Sequence, residues 1–211
     1  MTEIFDWLFA QYQDIPTYLV VLEIAGVVFG ILSVIFSKMN NIWVYPTGLV
    51  STFLYVYILQ YYGLLGDMLI NAYYFLMSIY GWYVWTRKVD GQHHTPITKT
   101  TKSEQKQTVL IFIATVLGIT LLYESFDKWE AWYSYTDIFT TAIFFVGMWL
   151  MAKKKIENWI YWIIGDIISV PLYFYKGLMF SAVLYLVLTV IAFYGYFSWK
   201  KLLYKPVENL T

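Results

Sequence analysis

Residues 30–48 read GILSVIFSKMNNIWVYPTG, and residues 147–165 read GMWLMAKKKIENWIYWIIG. Laid over each other without a gap, Gly30 falls on Gly147, Lys38 on Lys155, Asn41 on Asn158 and Gly48 on Gly165, an offset of 117. A second signature follows each copy. Tyr80-Gly81-Trp82-Tyr83-Val84-Trp85 and Tyr194-Gly195-Tyr196-Phe197-Ser198-Trp199 share the pattern Tyr-Gly-x-x-x-Trp, with the spacing between copies shorter by three. Two signatures repeated in the same order predict a duplicated unit with something inserted between the copies.

The composition says where such a unit lives. Hydrophobic residues make up 60% of the 211, aromatic residues 22% and charged residues only 13%, against roughly a quarter charged in a soluble domain. The apolar residues come in long blocks free of acids and bases, which is the pattern of a polytopic membrane protein in a lipid bilayer. Net charge is zero, so no basic surface points to nucleic acid. The absence of cysteine excludes disulfides and thiolate metal sites. Residues 1–14 are acidic and lack the basic start of a cleavable signal peptide. They read either as a short interfacial helix, with Ile4, Phe5, Leu8, Phe9 and Tyr12 on one side, or as a disordered tail.

Seven spans of roughly 17–23 residues are long enough to cross about 30 Å of hydrocarbon as helices. They fall near 17–37, 42–62, 66–86, 107–124, 134–152, 156–175 and 178–200. The fourth has no counterpart in the duplication. The predicted fold is therefore all-α, in one membrane domain covering residues 1–211. Repeat one takes up about 17–86, a linker helix about 107–124 and repeat two about 134–200, a 3 + 1 + 3 arrangement. With the N-terminus outside, twelve of the fourteen Lys and Arg residues fall in cytoplasmic segments, leaving only Lys128 and Lys176 outside. That bias predicts an external N-terminus and a cytoplasmic C-terminus. The unpaired crossing restores direction, so the two repeats run parallel, as in SWEETs, with a substrate site expected between them. Pro46 and Pro171 fall in the second and sixth spans and predict a bend in each.

No nucleophile–base pair, phosphate loop or metal spacing appears, so no catalytic residue, cofactor or metal site is assigned, and a membrane enzyme is the weaker alternative. His93 and His94 sit together in the long polar connection of about 87–106, short of a metal's ligand count. The informative residues are polar ones inside apolar spans. Asn158, Trp162, Asp166 and Ser169, spaced by four, four and three, share one face of the sixth helix. The second helix offers Asn41, Tyr45, Gly48 and Thr52, and the third offers Asp67, Asn71, Tyr74 and Ser78; Glu23 lies in the first. The competing reading is that these groups bond to one another and hold helices together. Trp82 and Trp85, beside Arg87 and Lys88, are expected in an interfacial aromatic belt. Trp162 lies deeper, so it is the ring-binding candidate.

Lys155-Ile156-Glu157-Asn158-Trp159, the following Trp162 and Tyr80-Gly81-Trp82-Tyr83-Val84-Trp85 resemble the bacterial Pnu vitamin transporters, and among them the PnuC-type carriers of nicotinamide riboside. The resemblance spans about residues 20–201. It implies a 3 + 1 + 3 homotrimer in the bacterial inner membrane that carries its vitamin by facilitated diffusion toward NAD biosynthesis. A cytoplasmic kinase then traps the vitamin by phosphorylation. The family's Asn-x-x-x-Trp site pair falls on Asn158 and Trp162, and its third-helix amide, usually Gln, on Asn71. Asp166 stands where the best-known members carry Asn. Nicotinamide riboside joins a flat cationic ring, a carboxamide and a diol. An aromatic face suits the ring, side-chain amides suit the polar groups, and a carboxylate favours the charge. Thiamine is also a flat cation with a hydroxyl, so a thiamine carrier is the alternative on the same residues; other branches of the family resemble riboflavin carriers.

Overall fold

The computed structural model describes residues 16–61, 65–89, 94–127, 129, 132–175 and 179–204. The stretch 1–14 and His93 lie outside them, as does the side chain of Asp67. Seven helices run through the described residues: α1 Thr17–Lys38, α2 Val44–Tyr61, α3 Leu65–Thr86, α4 Lys102–Ser125, α5 Tyr133–Ala152, α6 Asn158–Tyr175 and α7 Met179–Leu203. The chain is all-α, and the helices sit close to the seven apolar blocks. Four of them, α1, α4, α5 and the part of α7 from Ala182, are long and apolar enough to cross a membrane. The other three, α2, α3 and α6, hold most of the polar residues singled out above.

The fourth helix starts at Lys102, five residues before the apolar block, because its first turn is capped. The Thr101 side chain accepts the Glu104 N–H, and the Glu104 carboxylate accepts the Thr101 N–H at 2.9 Å. This capping box satisfies two amides that the helix itself leaves unpaired. Much of the connection before it is ordered by contact rather than left as loop. The Thr98 amide donates to the Lys154 carbonyl, and the Ile156 amide donates to the Thr98 carbonyl. The Glu157 carboxylate accepts from the amide and the hydroxyl of Thr100, and Glu104 pairs with Lys153 and Lys155. The linker is thereby fastened to the turn that positions the start of α6.

Pro46 is the third residue of α2. The bend expected there is not required, because the first turn's amides have no intrahelical acceptor for a proline to lose. Pro171 does lie inside α6.

Helices adjacent in sequence pack as hairpins, α1 with α2, α2 with α3, α5 with α6 and α6 with α7. Two crossed contacts join them: α1 meets α7, and α3 meets α5. The backbone shows the correct alignment of the two duplicated stretches. After α1, the amides of Met39, Asn40 and Asn41 donate to the carbonyls of Ile35, Ser37 and Phe36. After α5, those of Lys153, Lys154 and Lys155 donate to Trp149, Met151 and Leu150. Asn40 and Lys154 share a positive φ, 55° and 58°. Every one of these correspondences is offset by 114, not 117. The offset of 117 rested on matched Gly, Lys and Asn identities. A slip of three residues is nearly one helical turn, so it keeps similar faces together and hides in the sequence. The Tyr-Gly-x-x-x-Trp signatures carry the true spacing.

At that spacing those signatures make one device built twice. Trp85 Nε1 donates to the Met151 carbonyl at 3.1 Å, and Trp199 Nε1 donates to the Ser37 carbonyl at 2.8 Å. Each indole thus gives a second hydrogen bond to a C-terminal carbonyl of the first helix in the other half, one that already accepts the turn amide of Lys154 or Asn40. Gly81 and Gly195 permit the approach. A Cβ at Gly81 would run into the Tyr45 ring, and one at Gly195 would lie 2.6–2.7 Å from the Trp159 indole. Tyr45, Trp85, Trp199 and Trp159 form a continuous cluster with centroids 5.2–5.7 Å apart, edge-to-face at Tyr45–Trp85 and Trp159–Trp199 and tilted at Trp85–Trp199. Trp85 is therefore not an interfacial belt residue. It is only 3% exposed, whereas Trp82 is 40% exposed. Both stand in apolar sequence beside bases, but only Trp85 is on the face of α3 that meets the end of α5.

Candidate functional site

A cavity of about 270 Å³ opens among α1, α2, α3, α5, α6 and α7. Its two sides differ because equivalent positions carry different residues. At the offset of 114, Phe144 corresponds to Gly30 and Trp162 to Gly48. One wall is therefore aromatic. Phe144 stacks on Trp162 at 5.5 Å and 27°, and on Tyr185 at 6.1 Å and 9°. The opposite wall is small: Gly30, Ser33, Gly48, Ser51 and Ser78. The same contact recurs in both halves with its members exchanged. A Cβ at Gly48 would meet Ser33 Oγ at 3.0 Å, while one at Gly147, the counterpart of Ser33, would meet the Trp162 ring at 3.4 Å. The slot between these residues offers a flat ring an aromatic face to stack on.

Several hydroxyls around it hold helices together, as the competing reading of the sequence anticipated. Ser33 Oγ donates to the Val44 carbonyl at 2.7 Å, and Ser51 Oγ donates to the Gly26 carbonyl at 2.8 Å, each joining α1 to α2. Thr52 Oγ1 donates to the Gly48 carbonyl of its own helix. Behind the aromatic wall, Tyr73 stacks on Phe145 at 3.9 Å and donates its hydroxyl to the Phe145 carbonyl, joining α3 to α5.

Of the residues singled out in the sequence, Tyr45, Gly48, Thr52, Tyr74, Ser78, Trp162 and Asp166 line the cavity together. Asp166 is 3% exposed, and Tyr74 and Tyr185 line the same cavity. Its counterpart in the first half is Thr52, so the cavity has a carboxylate on one side only. The other residues lie elsewhere. Asn158 is fully buried at the start of α6, where its Nδ2 donates to the Lys155 carbonyl; it is not part of the lining. Its counterpart Val44 does line the cavity. Asn41 accepts the Trp43 amide at 3.0 Å and shapes the entrance to α2. Asn71 is partly buried on α3 and Ser169 is 1% exposed on α6, both outside the lining. The sequence reading passed over Trp159, Phe144, Tyr185, Ser33 and Ser51. Trp159 stands beside Asn158 in the quoted motif, but its role depends on which helix it faces. Among the described residues no cluster of His, Cys, Asp and Glu could hold a metal.

The comparisons with known proteins agree with one another. The family described as "Nicotinamide mononucleotide transporter" matches residues 20–201. The chain is 25% identical over 205 residues to the nicotinamide riboside transporter PnuC of Escherichia coli, covering 84% of each chain. It is 29% identical over 186 residues to PnuC of Neisseria mucosa, covering 82% of this chain and 69% of that one. The riboflavin/roseoflavin transporter RibM of Streptomyces davaonensis is 24% identical over 182 residues, with 84% and 83% covered. Among solved structures, the crystal structure of the vitamin B3 transporter PnuC superimposes with a TM-score of 0.62 at 25% identity, covering 95% of this chain and 87% of that one.

Proposed function

Because the chain belongs to the nicotinamide mononucleotide transporter family, and is therefore a multi-pass membrane transporter and not an enzyme, we propose that it carries nicotinamide riboside into the cell by facilitated diffusion. The single observation that carries this reading is Asp166, a buried carboxylate in the same slot as the Phe144–Trp162 stack. A flat cation suits that pairing through ring stacking and through the charge. A neutral flavin gains only the stacking, so riboflavin, the cargo named for RibM, is the second reading. A phosphate would be repelled by the carboxylate, which favours the riboside over the phosphorylated nucleotide and suits trapping by a cytoplasmic kinase. Thiamine, also cationic, is tested alongside. Binding of the three vitamins to the purified protein decides among them: nicotinamide riboside is expected to bind most tightly, and preferential binding of riboflavin or thiamine overturns the assignment.

The architecture proposed with it is seven crossings in a 3 + 1 + 3 order, two parallel three-helix repeats joined by α4, within a homotrimer in the bacterial inner membrane. The offset of 114 and the reciprocal packing of α1 on α7 and α3 on α5 support two equivalent halves around a central site. The bases at the α5–α6 turn and after α7 support a cytoplasmic C-terminus. A fluorescent protein fused after Thr211 is expected to fluoresce, and alkaline phosphatase fused there to stay inactive; an active phosphatase reverses the orientation.

Uniport is the expected energetics. Glu23, Asp67, Asp137 and Asp166 are scattered along the sequence over four helices, α1, α3, α5 and α6, which is not the pattern of a chain of acids typical of a proton relay. In proteoliposomes, uptake is expected to stop at equal concentrations and to ignore imposed proton or sodium gradients. Accumulation beyond equality without an internal kinase refutes uniport.

A further inference from the structure

The structure assigns Trp159 Nε1 and Tyr45 Oη as a pair of ligand-binding polar arms, one from each half, that hold the hydroxylated end of the cargo. The inference rests on the transport reading above and extends it to residues that reading does not use. Trp159 and Tyr45 are counterparts at the offset of 114, both line the cavity, and they are 1% and 0% exposed. Neither polar atom has a hydrogen-bond partner among the described residues. Buried indole N–H and phenol O–H groups ordinarily find one. Trp85 and Trp199, in the same cluster, do so on backbone carbonyls. The Cε3–Cζ3–Cη2 edge of Trp159 lies against Gly195. That turns the edge bearing Nε1 away from α7.

The chemistry of the pair specifies what it takes. The indole N–H only donates, and a phenol donates or accepts, so the partner is a neutral group rich in oxygen lone pairs, such as a sugar hydroxyl. Trp159 precedes Asp166 by seven residues on α6, about 10 Å along the axis at 1.5 Å per residue. A cargo with its ring at Trp162 and Asp166 and its sugar toward Trp159 and Tyr45 spans that length. The sugar end then points toward Ser37 and Met151, lining residues whose carbonyls accept from Trp199 and Trp85.

The test measures affinity for nicotinamide riboside and for 1-methylnicotinamide, a cationic ring without the sugar, together with the thermal midpoint of unliganded protein. Tyr45→Phe and Trp159→Phe each remove one polar atom and keep an aromatic ring. Each is expected to weaken nicotinamide riboside about 5- to 10-fold, the worth of one hydrogen bond to a buried group. Competition by 1-methylnicotinamide should change by less than about twofold in both variants, whereas Trp162→Ala should weaken both compounds. Tyr45→Phe should leave the unliganded midpoint unchanged or higher, since a hydroxyl without a partner is removed. Unchanged nicotinamide riboside affinity in both variants overturns the assignment while leaving the transport reading intact. For Tyr45→Phe, a loss matched by a fall in the midpoint also overturns it, in favour of a packing role; Trp159→Phe is read against 1-methylnicotinamide, because the smaller ring lowers the midpoint whatever the indole N–H binds. If the unaltered protein binds no nicotinamide riboside, the transport reading itself fails, and this assignment with it.

Discussion

Asp166→Asn is expected to weaken nicotinamide riboside binding by one to two orders of magnitude and to leave riboflavin within about threefold. The substitution keeps the shape of the side chain and removes only its charge. Two unit charges about 5 Å apart interact by roughly 3 kcal/mol at an effective dielectric of 20. Part of that is offset by desolvating both groups. A net 1.4–2.7 kcal/mol corresponds to about 10- to 100-fold. Riboflavin has no cationic ring, so it loses only what the altered hydrogen bonding takes away. Isothermal titration of both vitamins against the same preparation reads the difference directly. Equal losses for the two would mean that the carboxylate shapes the site without reading charge. A lower thermal midpoint with normal binding by the folded fraction would mean that Asp166 pairs structurally with a neighbouring helix.

Replacing Trp85 or Trp199 by Phe is expected to produce the largest losses of stability, with little direct effect on the site. Each change removes one donor to a carbonyl at the end of the other half's first helix, Met151 for Trp85 and Ser37 for Trp199. The carbonyl keeps its turn amide, Lys154 on Met151 and Asn40 on Ser37, so the lost hydrogen bond costs about 0.5–1.5 kcal/mol. The smaller ring also leaves a gap in a close-packed cluster, for about 1–2 kcal/mol more. The two indoles touch, with centroids 5.7 Å apart, so the double variant should depart from additivity. Trp82→Phe is the control: Trp82 is 40% exposed on the same helix and should change stability by less than about 0.5 kcal/mol. Thermal unfolding in one detergent compares all four proteins. If Trp85→Phe proves as mild as Trp82→Phe, the indole-to-carbonyl latch does not hold the halves together.

The apolar blocks decided the helices without help from tertiary contacts. A stretch of about twenty uncharged apolar residues can satisfy its own backbone in lipid only as a helix, and α1 to α7 follow those blocks. The spacing of Trp162 and Asp166 likewise put both on one face, since four residues make about one turn, and that face does open into the cavity. What the sequence could not decide is which neighbour each face meets. Asn158 is a turn further along the same stripe, yet it bonds to the Lys155 carbonyl at the start of α6 and stays out of the cavity. Trp85 and Trp82 share one local sequence, and only the docking of α3 on α5 buries the first and exposes the second. Pro46 reads as a kink until the helix start is known. The offset of 117 and that of 114 present nearly the same faces, because three residues are almost a turn. Only the backbone hydrogen bonds at the ends of α1 and α5 separate them. With the correct offset, Gly48 is the counterpart of Trp162 and Gly30 of Phe144. This pairing of small with large across the two halves is what makes the slot, and it exists only once the helices have packed.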